Sequence, residues 1–267
     1  MSQTIAVVMP TFNSATTVER ALASVVGQTR LPDEVIIVDN ASSDNTIPLA
    51  QAFASRHNVL TWRIQVLPTN IGPGAARNYG WDLAKSDLLA FLDSDDSWHP
   101  EKLQVQSEVT HRFADAVLFG HGYVVLRQGE PVLATPSQNT TPSIDRFKLH
   151  HFLIRNRLST PTVMLRRQIP ERFPDDFWYG EDYALWLRIV AAHGAAVFQR
   201  RTLTFLHKQT YGESGLSADM TQMHCGELLA VQRLRRTRDI GVISCEMTKV
   251  WMRIKHVRRR VKMSRRV

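Results

Sequence analysis

Cysteine is nearly absent from this chain of 267 residues: there are two, Cys225 and Cys245. Their spacing is not that of a zinc site, and two are too few for a disulfide-stapled secreted domain, so a reducing compartment is expected. No apolar run approaches the roughly 18 residues of a membrane-spanning helix. Only Met1-Ser2-Gln3-Thr4 precedes the first apolar segment. That start lacks the basic and apolar regions of a secretory signal, and the expectation is a cytoplasmic protein. No internal repeat and no long low-complexity linker are present. Acid is missing from one place in particular. From Lys249 to Arg266 there are nine Lys or Arg and no Asp or Glu, whereas the whole chain has a formal net charge of +8, so the first 248 residues net to about −1. The high pI therefore describes the tail, and it excludes reading the body as a nucleic-acid surface.

What is present is length and apolar content enough for a sizeable α/β core. Ile5–Met9, Glu34–Val38 and Leu88–Leu92 read as apolar strands, and Leu60–Val66 as a strand with an alternating pattern. Helices are expected between them: one from Thr16, with Thr16 and Glu19 as a capping box, one over Thr46–Arg56, and one after the turn Asn70–Gly80. Strands alternating with helices predict a doubly wound parallel sheet with right-handed crossovers. The second half predicts short strands at 116–126 and 131–134 around Gln128-Gly129-Glu130, a loop over 135–143 and a helix over 144–155. Beyond these come a strand over 160–165, an aromatic acidic loop over 173–179 and a helix over 180–192. Strands at 195–198 and 202–206 and a long helix over 217–238 complete the expectation.

Phe91-Leu92-Asp93-Ser94-Asp95-Asp96-Ser97-Trp98 puts three carboxylates within four positions at the end of a buried strand. Ligands of open parallel sheets lie outside the carboxyl ends of the strands. Hard divalent cations take oxygen ligands, and Mg²⁺ or Mn²⁺ is commonly shared between carboxylates and substrate phosphates. The stretch therefore reads as a metal site holding a diphosphate, with a solvated, helix-capping turn as the plain alternative. Asp39 emerges from another strand of the same sheet, so two carboxyl-end acids converge on one crevice.

Five motifs stand in one line: Val-Val-Met-Pro-Thr-Phe-Asn (7–13), Glu-Val-Ile-Ile-Val-Asp-Asn-Ala-Ser-Ser-Asp-Asn-Thr (34–46), Asn-x-Gly-x-x-x-Ala-Arg-Asn-x-Gly (70–80), Asp-Ser-Asp-Asp (93–96) and Gly-Glu-Asp-Tyr-x-Leu-Trp-Leu-Arg (180–188). In this order and spacing the chain resembles the family 2 glycosyltransferases, inverting enzymes of GT-A fold. The resemblance covers roughly residues 4–215 and leaves the tail outside. It implies an α/β fold: a Rossmann-like, mostly parallel sheet completed by a mixed acceptor-side half, with C-terminal helices. Domain 1–215 then divides into a nucleotide-sugar half, 1–97, and an acceptor half, 98–215, with a helical basic segment at 216–267.

The resemblance also implies roles. Pro10 and Thr11 would touch the nucleoside through the backbone, with Phe12 beside the base. Asp39 would accept a hydrogen bond from the base edge, and Arg77 would contact the nucleotide or its phosphates. Asp93 would contact ribose or metal, Asp95 the metal, and His207 the diphosphate or the metal. Asp182 would be the catalytic base, with Leu185 and Trp186 as an apolar wall. Many relatives carry a second acid and a glycine after the strand-two Asp, where this chain has Asn40 and Ala41. The implied reaction moves a sugar from a nucleotide-diphosphate sugar, UDP-linked by expectation, to a glycan or lipid-linked acceptor in cell-envelope polysaccharide synthesis, with Mn²⁺ or Mg²⁺.

In the tail, Met247, Val250, Trp251, Ile254, Val257 and Val261 share a helical face beside Lys249, Arg253, Lys255 and Arg258–Arg260. A basic amphipathic helix of this kind suits an anionic membrane surface, and contact at the inner face of the cell membrane through 247–267 is expected. The plain alternative is a stripe packed on the body. Nucleic acid is not an expected partner, since no aromatic platform or binding motif accompanies the charge. Two other functions are weighed. A nucleotidyltransferase would carry a Gly-rich basic loop after strand one, which Pro10-Thr11-Phe12-Asn13 is not. A non-catalytic sugar-nucleotide-binding or membrane scaffold would not require Asp93, Asp95 and Asp182 together.

Overall fold

The computed structural model describes residues 3–126, 143–207 and 219–264. Its first half is the expected alternation: β1 (Ile5–Thr11), α1 (Val18–Val26), β2 (Glu34–Asp39), α2 (Thr46–Arg56), β3 (Thr61–Val66), α3 (Pro73–Leu83) and β4 (Leu88–Phe91). The apolar runs of β1, β2 and β4 are buried on both faces, as central strands of a parallel sheet must be. Alternation divides them between two cores. Ala6, Val8, Ile36, Val38, Leu89 and Phe91 pack with Trp81 of α3. Ile5, Val7, Met9, Val35, Ile37 and Leu88 pack on the other face with Leu22 and Val25 of α1 and Phe53 of α2.

The second half adds β5 (Asp96–Trp98), α4 (Lys102–Arg112), β6 (Leu118–Val125), β7 (Ile144–Lys148), α5 (Leu149–Ile154), β8 (Met164–Arg166), α6 (Glu181–His193), β9 (Ala195–Leu206), α7 (Met220–Arg236) and α8 (Val242–Ser264). The described strands form one sheet in the order β3-β2-β1-β4-β8-β6-β9-β5, with β7 also on β9. The first four are parallel, and the rest are mixed. Strand order reverses between β1 and β4, and that reversal opens a crevice at their carboxyl ends.

Several local expectations are corrected. The capping box is absent: Thr17 precedes α1 without a side-chain cap, the Ser14 carbonyl accepts from the Thr17 and Val18 N–H groups, and Glu19 pairs with Arg56 at 2.8 Å. Residues 144–155 are not one helix. Ile144–Lys148 pairs antiparallel with Ala195–Gln199, and only Leu149–Ile154 coils. The strand expected over 160–165 opens as a tight turn, Thr160–Thr162, and becomes extended at Met164. The two strands expected at 195–206 are one, because β6 absorbs the irregularity by shifting register around Gly122. The Asp96–Trp98 segment, read as part of a turn, is a short strand on the end of β9. The strand expected at 131–134, its hairpin and most of the loop after it lie outside the described residues.

Candidate functional site

One end of the crevice is built from the ends of β1 and β2. Asp39 is fully buried, and its carboxylate accepts from Thr11 Oγ1 at 2.9 Å, Ser42 N at 2.8 Å and Ser42 Oγ at 2.5 Å. Pro10 and Thr11 pair in register with Val38 and Asp39, and Phe12 stands half exposed at the lip. Asn40 uses both halves of its amide. Nδ2 donates to Asn70 Oδ1 at 2.7 Å, and Oδ1 accepts from Ile71 N at 2.8 Å, so it ties β2 to the turn before α3. A carboxylate at 40 has no hydrogen to give Asn70, which accounts for the amide at this position.

Ala41, where many relatives have glycine, has φ +64. A side chain in this left-handed region costs roughly 1–2 kcal/mol. Ala41→Gly is therefore expected to stabilise the protein by about 1 kcal/mol after glycine's extra unfolded-state entropy is subtracted. Thermal unfolding of the two proteins in parallel checks it, and an unchanged or lower midpoint refutes it.

Arg77 lies at the centre. Its Nη2 donates to Asp93 Oδ1 at 2.7 Å and its Nη1 to Glu181 Oε1 at 2.9 Å, with the guanidinium 5.4 Å from the Phe173 ring centroid. Burial opposes its charge, but the two carboxylates outweigh that and hold it above the ordinary arginine range. Both terminal nitrogens of Arg77, expected to meet the nucleotide or its phosphates, are on carboxylates in this structure. The residue that sequence reasoning undervalued is Glu181. Adjacent acids at a helix start look alike in sequence, yet successive positions point about 100° apart. Glu181 turns inward to Arg77, while Asp182 turns to Thr160.

Gly180 introduces α6 in the left-handed conformation, φ +72, with the Gly226 backbone of α7 pressed against it. Asp182 follows in the first turn. Its Oδ1 accepts from Tyr183 N at 2.6 Å and its Oδ2 from Thr160 Oγ1 at 3.4 Å. Burial first, then the Glu181 carboxylate, with Asp93 adding, push Asp182 up to about 7; the Tyr183 N–H and Arg77 oppose this. Trp186 and Leu185 are wholly buried, and Trp186 packs edge-on to Phe173 at 5.8 Å. They support the site from behind and do not wall the crevice.

On the other side, the Asp95 carbonyl accepts from Arg20 Nη2 at 2.6 Å. His207 follows β9 directly beside β5: its N–H donates to Asp96 Oδ1 at 3.4 Å, and its Nε2 is 2.7 Å from Ser97 Oγ. Burial, then Arg20, lower the imidazole below its ordinary value while Asp95 opposes, so His207 is neutral and able to act as a ligand at pH 7. Among the described residues no group of three His, Cys, Asp or Glu could hold a metal by themselves. The donor set of Asp95 with His207 nearby fits a cation that completes its shell from substrate phosphates and water, as Mg²⁺ and Mn²⁺ do.

α8 turns Cys245, Thr248 and Met252 to the body and leaves Met247, Val250, Ile254, Val257 and Val261 exposed. The stripe is therefore not the packing face. Trp251 Nε1 and Lys255 Nζ both donate to the Ile154 carbonyl at 2.9 Å, which fixes the helix on α5. None of the described helices is long and apolar enough to cross a membrane.

Known proteins place this arrangement. A glucosyltransferase of Escherichia coli, UDP-Glc:alpha-D-GlcNAc-diphosphoundecaprenol beta-1,3-glucosyltransferase WfgD, is 30% identical over 194 residues, covering 70% of this chain and 69% of its own. The structure of S. aureus TarS in complex with UDP-GlcNAc superposes with a TM-score of 0.71 at 19% identity, over 92% of this chain and 70% of that one. The mannosyltransferase PcManGT of Pyrobaculum calidifontis, in complex with GDP-Man and Mn²⁺, gives 0.65 at 17% identity, over 88% of this chain and 65% of that one. At these identities the structural likeness shows the fold, and it is the GT-A fold that the motif order implied. The model of glycosyl transferase family 2 matches residues 6–168, more than half the sequence and the elements from β1 to β8, and the chain belongs to that family.

Proposed function

We propose that the protein is an inverting glycosyltransferase that moves a sugar from a UDP-linked donor to a hydroxyl of a glycan or lipid-linked acceptor in cell-envelope polysaccharide synthesis. The observation that carries the reading is Asp182: a half-buried carboxylate pushed up to about 7, beside the Arg77–Asp93 pair at the crevice. A base is most effective when its pKa lies near the working pH. The acceptor oxygen attacks the anomeric carbon from the face opposite the diphosphate, its proton passes to Asp182, and the C–O bond to the diphosphate breaks. The nucleoside diphosphate leaves with the electron pair, and the configuration inverts. Pro10, Thr11, Phe12 and Asp39 orient the nucleoside, and Asp93, held by Arg77, faces the ribose. Asp95 and His207 would hold a Mn²⁺ or Mg²⁺ ion, which supplies Lewis-acid stabilisation of the leaving diphosphate when bound. The relative that acts on a diphosphoundecaprenol acceptor and the neighbour bound to UDP-GlcNAc support the substrate classes.

The test is nucleotide release from UDP-, GDP- and dTDP-sugars with Mn²⁺, Mg²⁺ or EDTA, in the presence of a diphosphoundecaprenol-linked GlcNAc acceptor. Turnover of a UDP-sugar that EDTA abolishes is expected. Donor binding without turnover of any sugar favours a non-catalytic binding protein instead.

The tail completes the reading. An exposed apolar stripe flanked by basic residues, of which Lys249 and Arg259 also pair with Glu246 and Glu227, supports peripheral contact with an anionic membrane, at its inner face, where a lipid-linked acceptor is found. The protein is expected to co-float with vesicles containing phosphatidylglycerol and not with neutral ones. The double variant Ile254→Glu/Val257→Glu should weaken that binding about tenfold or more. Equal flotation with both vesicle types refutes the contact.

A further inference from the structure

The turn Thr160–Thr162 lies between β5 and Asp182 and touches both. Thr160 is buried, and its hydroxyl donates to Asp182 Oδ2 at 3.4 Å. The next carbonyl, that of Pro161, accepts from the Trp98 indole N–H at 2.8 Å and from Thr204 Oγ1 at 3.1 Å. The Thr162 carbonyl accepts from Gln106 Nε2 at 3.0 Å, and Thr162 Oγ1 donates to the Ser159 carbonyl at 2.7 Å. Three consecutive residues are thus held by α4, β5 and β9, and the only side chain among them that meets an acid meets Asp182.

Trp98 ends the strand that begins with Asp96, and Thr204 is its register partner on β9. The indole is fixed from behind as well: Lys102 Nζ, wholly buried, sits 3.9 Å from its ring centroid. Asp96 and Ser97 of the same strand contact His207. A continuous set of contacts therefore runs from His207 through β5 to Trp98, Pro161, Thr160 and Asp182.

We propose that Thr160 is a positioning residue for Asp182, and that its turn fixes the distance between Asp182 and the strand that follows Asp95. This rests on Asp182 being the base. The Thr160 O–H occupies one lone pair of Oδ2, and the Tyr183 N–H occupies one of Oδ1. The carboxylate plane is then set, and a further Oδ2 lone pair is left for the acceptor hydroxyl. An aspartate lacking the Thr160 contact would keep its chemistry and lose its aim, which proximity-based catalysis does not tolerate.

The experiment compares wild type, Thr160→Val, Thr160→Ser, Trp98→Phe and Asp182→Asn on whichever donor of the panel turns over. Thr160→Val keeps the shape and removes the hydroxyl. It should lower kcat about tenfold with little change in donor KM, since a hydrogen bond to a charged group is lost. It should also move the rising limb of the pH–kcat profile upward by up to about one pH unit, because a donor to the charged form has gone. Thr160→Ser should restore both. Trp98→Phe, which removes one of the two donors to the Pro161 carbonyl and keeps a ring over Lys102, should shift the limb the same way by less. A wild-type limb in Thr160→Val, or failure of serine to restore it, overturns the inference while leaving the base in place. Full activity in Asp182→Asn, or no turnover of any donor, overturns the reading of Asp182 and this inference together.

Discussion

Asp182→Asn is expected to lower kcat by roughly 10²–10⁴-fold, the range that a positioned general base contributes, with donor affinity nearly unchanged. The amide keeps size and shape but has no lone pair basic enough to take the acceptor proton. Donor affinity is expected to be spared because the residues proposed to orient the nucleoside belong to other elements: Asp39 ends β2 and Phe12 follows β1, far in sequence from α6. The comparison is made by single-turnover transfer beside equilibrium binding of the donor. Loss of binding in step with turnover would mean that Asp182 is a donor ligand and not the base.

The pH dependence has a definite sign. Asp182 is pushed up to about 7, so the base is largely protonated at pH 6, and kcat rises with pH through about 7. Stability runs the other way. Between the ordinary aspartate value near 4 and about 7, the folded protein binds more protons than the unfolded chain, so this group makes folding less favourable as pH rises. Asp182→Asn should therefore melt higher than wild type at pH 8 and close to wild type at pH 4. A residue kept at a cost to stability and needed for turnover is what a catalytic acid–base group looks like in a melting curve.

The second large effect is Arg77→Met, expected to destabilise the protein by about 3–5 kcal/mol, since it leaves two carboxylates without the cation between them. Arg77, Asp93 and Glu181 come from α3, the segment after β4 and α6, so the loss loosens three elements. Methionine preserves much of the packing against Phe173, which separates charge from volume. The check is chemical denaturation of Arg77→Met, Glu181→Gln and the double variant. The double variant should be less destabilised than the sum of the singles, because the amide removes a carboxylate that Arg77 no longer neutralises. Strict additivity would mean that the pair is not coupled. Arg77→Lys should rescue little, because a single ammonium cannot span both acceptors as the planar guanidinium does.

The alternation of β1, β2 and β4 with α1–α3 was legible because buried parallel strands are short apolar runs and each ends where a polar ligand site begins. Asp39 and Asp93 drew notice as acids at the ends of apolar runs, whereas Asp182 stood out only through its place in the order of motifs, since an acid at a helix start also serves the helix dipole. The second half resisted. Ile144–Lys148 carries three charged residues and, among the described strands, pairs only with β9, so its pattern is weak, and the long-range pairing that makes it a strand is invisible locally. Thr160 resembles any turn threonine, and only tertiary packing brings it to Asp182, 22 residues away. The fate of Arg77 was hidden likewise. A Gly-rich turn announced that its neighbourhood is crowded, but not that two carboxylates share it.

The first and second halves of the sheet are joined by ladders of hydrogen bonds: β8 lies against β4, and β5, which follows the Asp93–Asp95 segment, lies against β9. Two bodies joined in this way do not melt apart. Unfolding should appear as one cooperative transition, and a tight-binding nucleotide analogue should slow amide hydrogen exchange in β8 and β9 as well as in β1 and β2. A substitution that reshapes one side of the sheet is therefore expected to be felt on the other as stability, and changes in segments that carry no ladder should be the least costly.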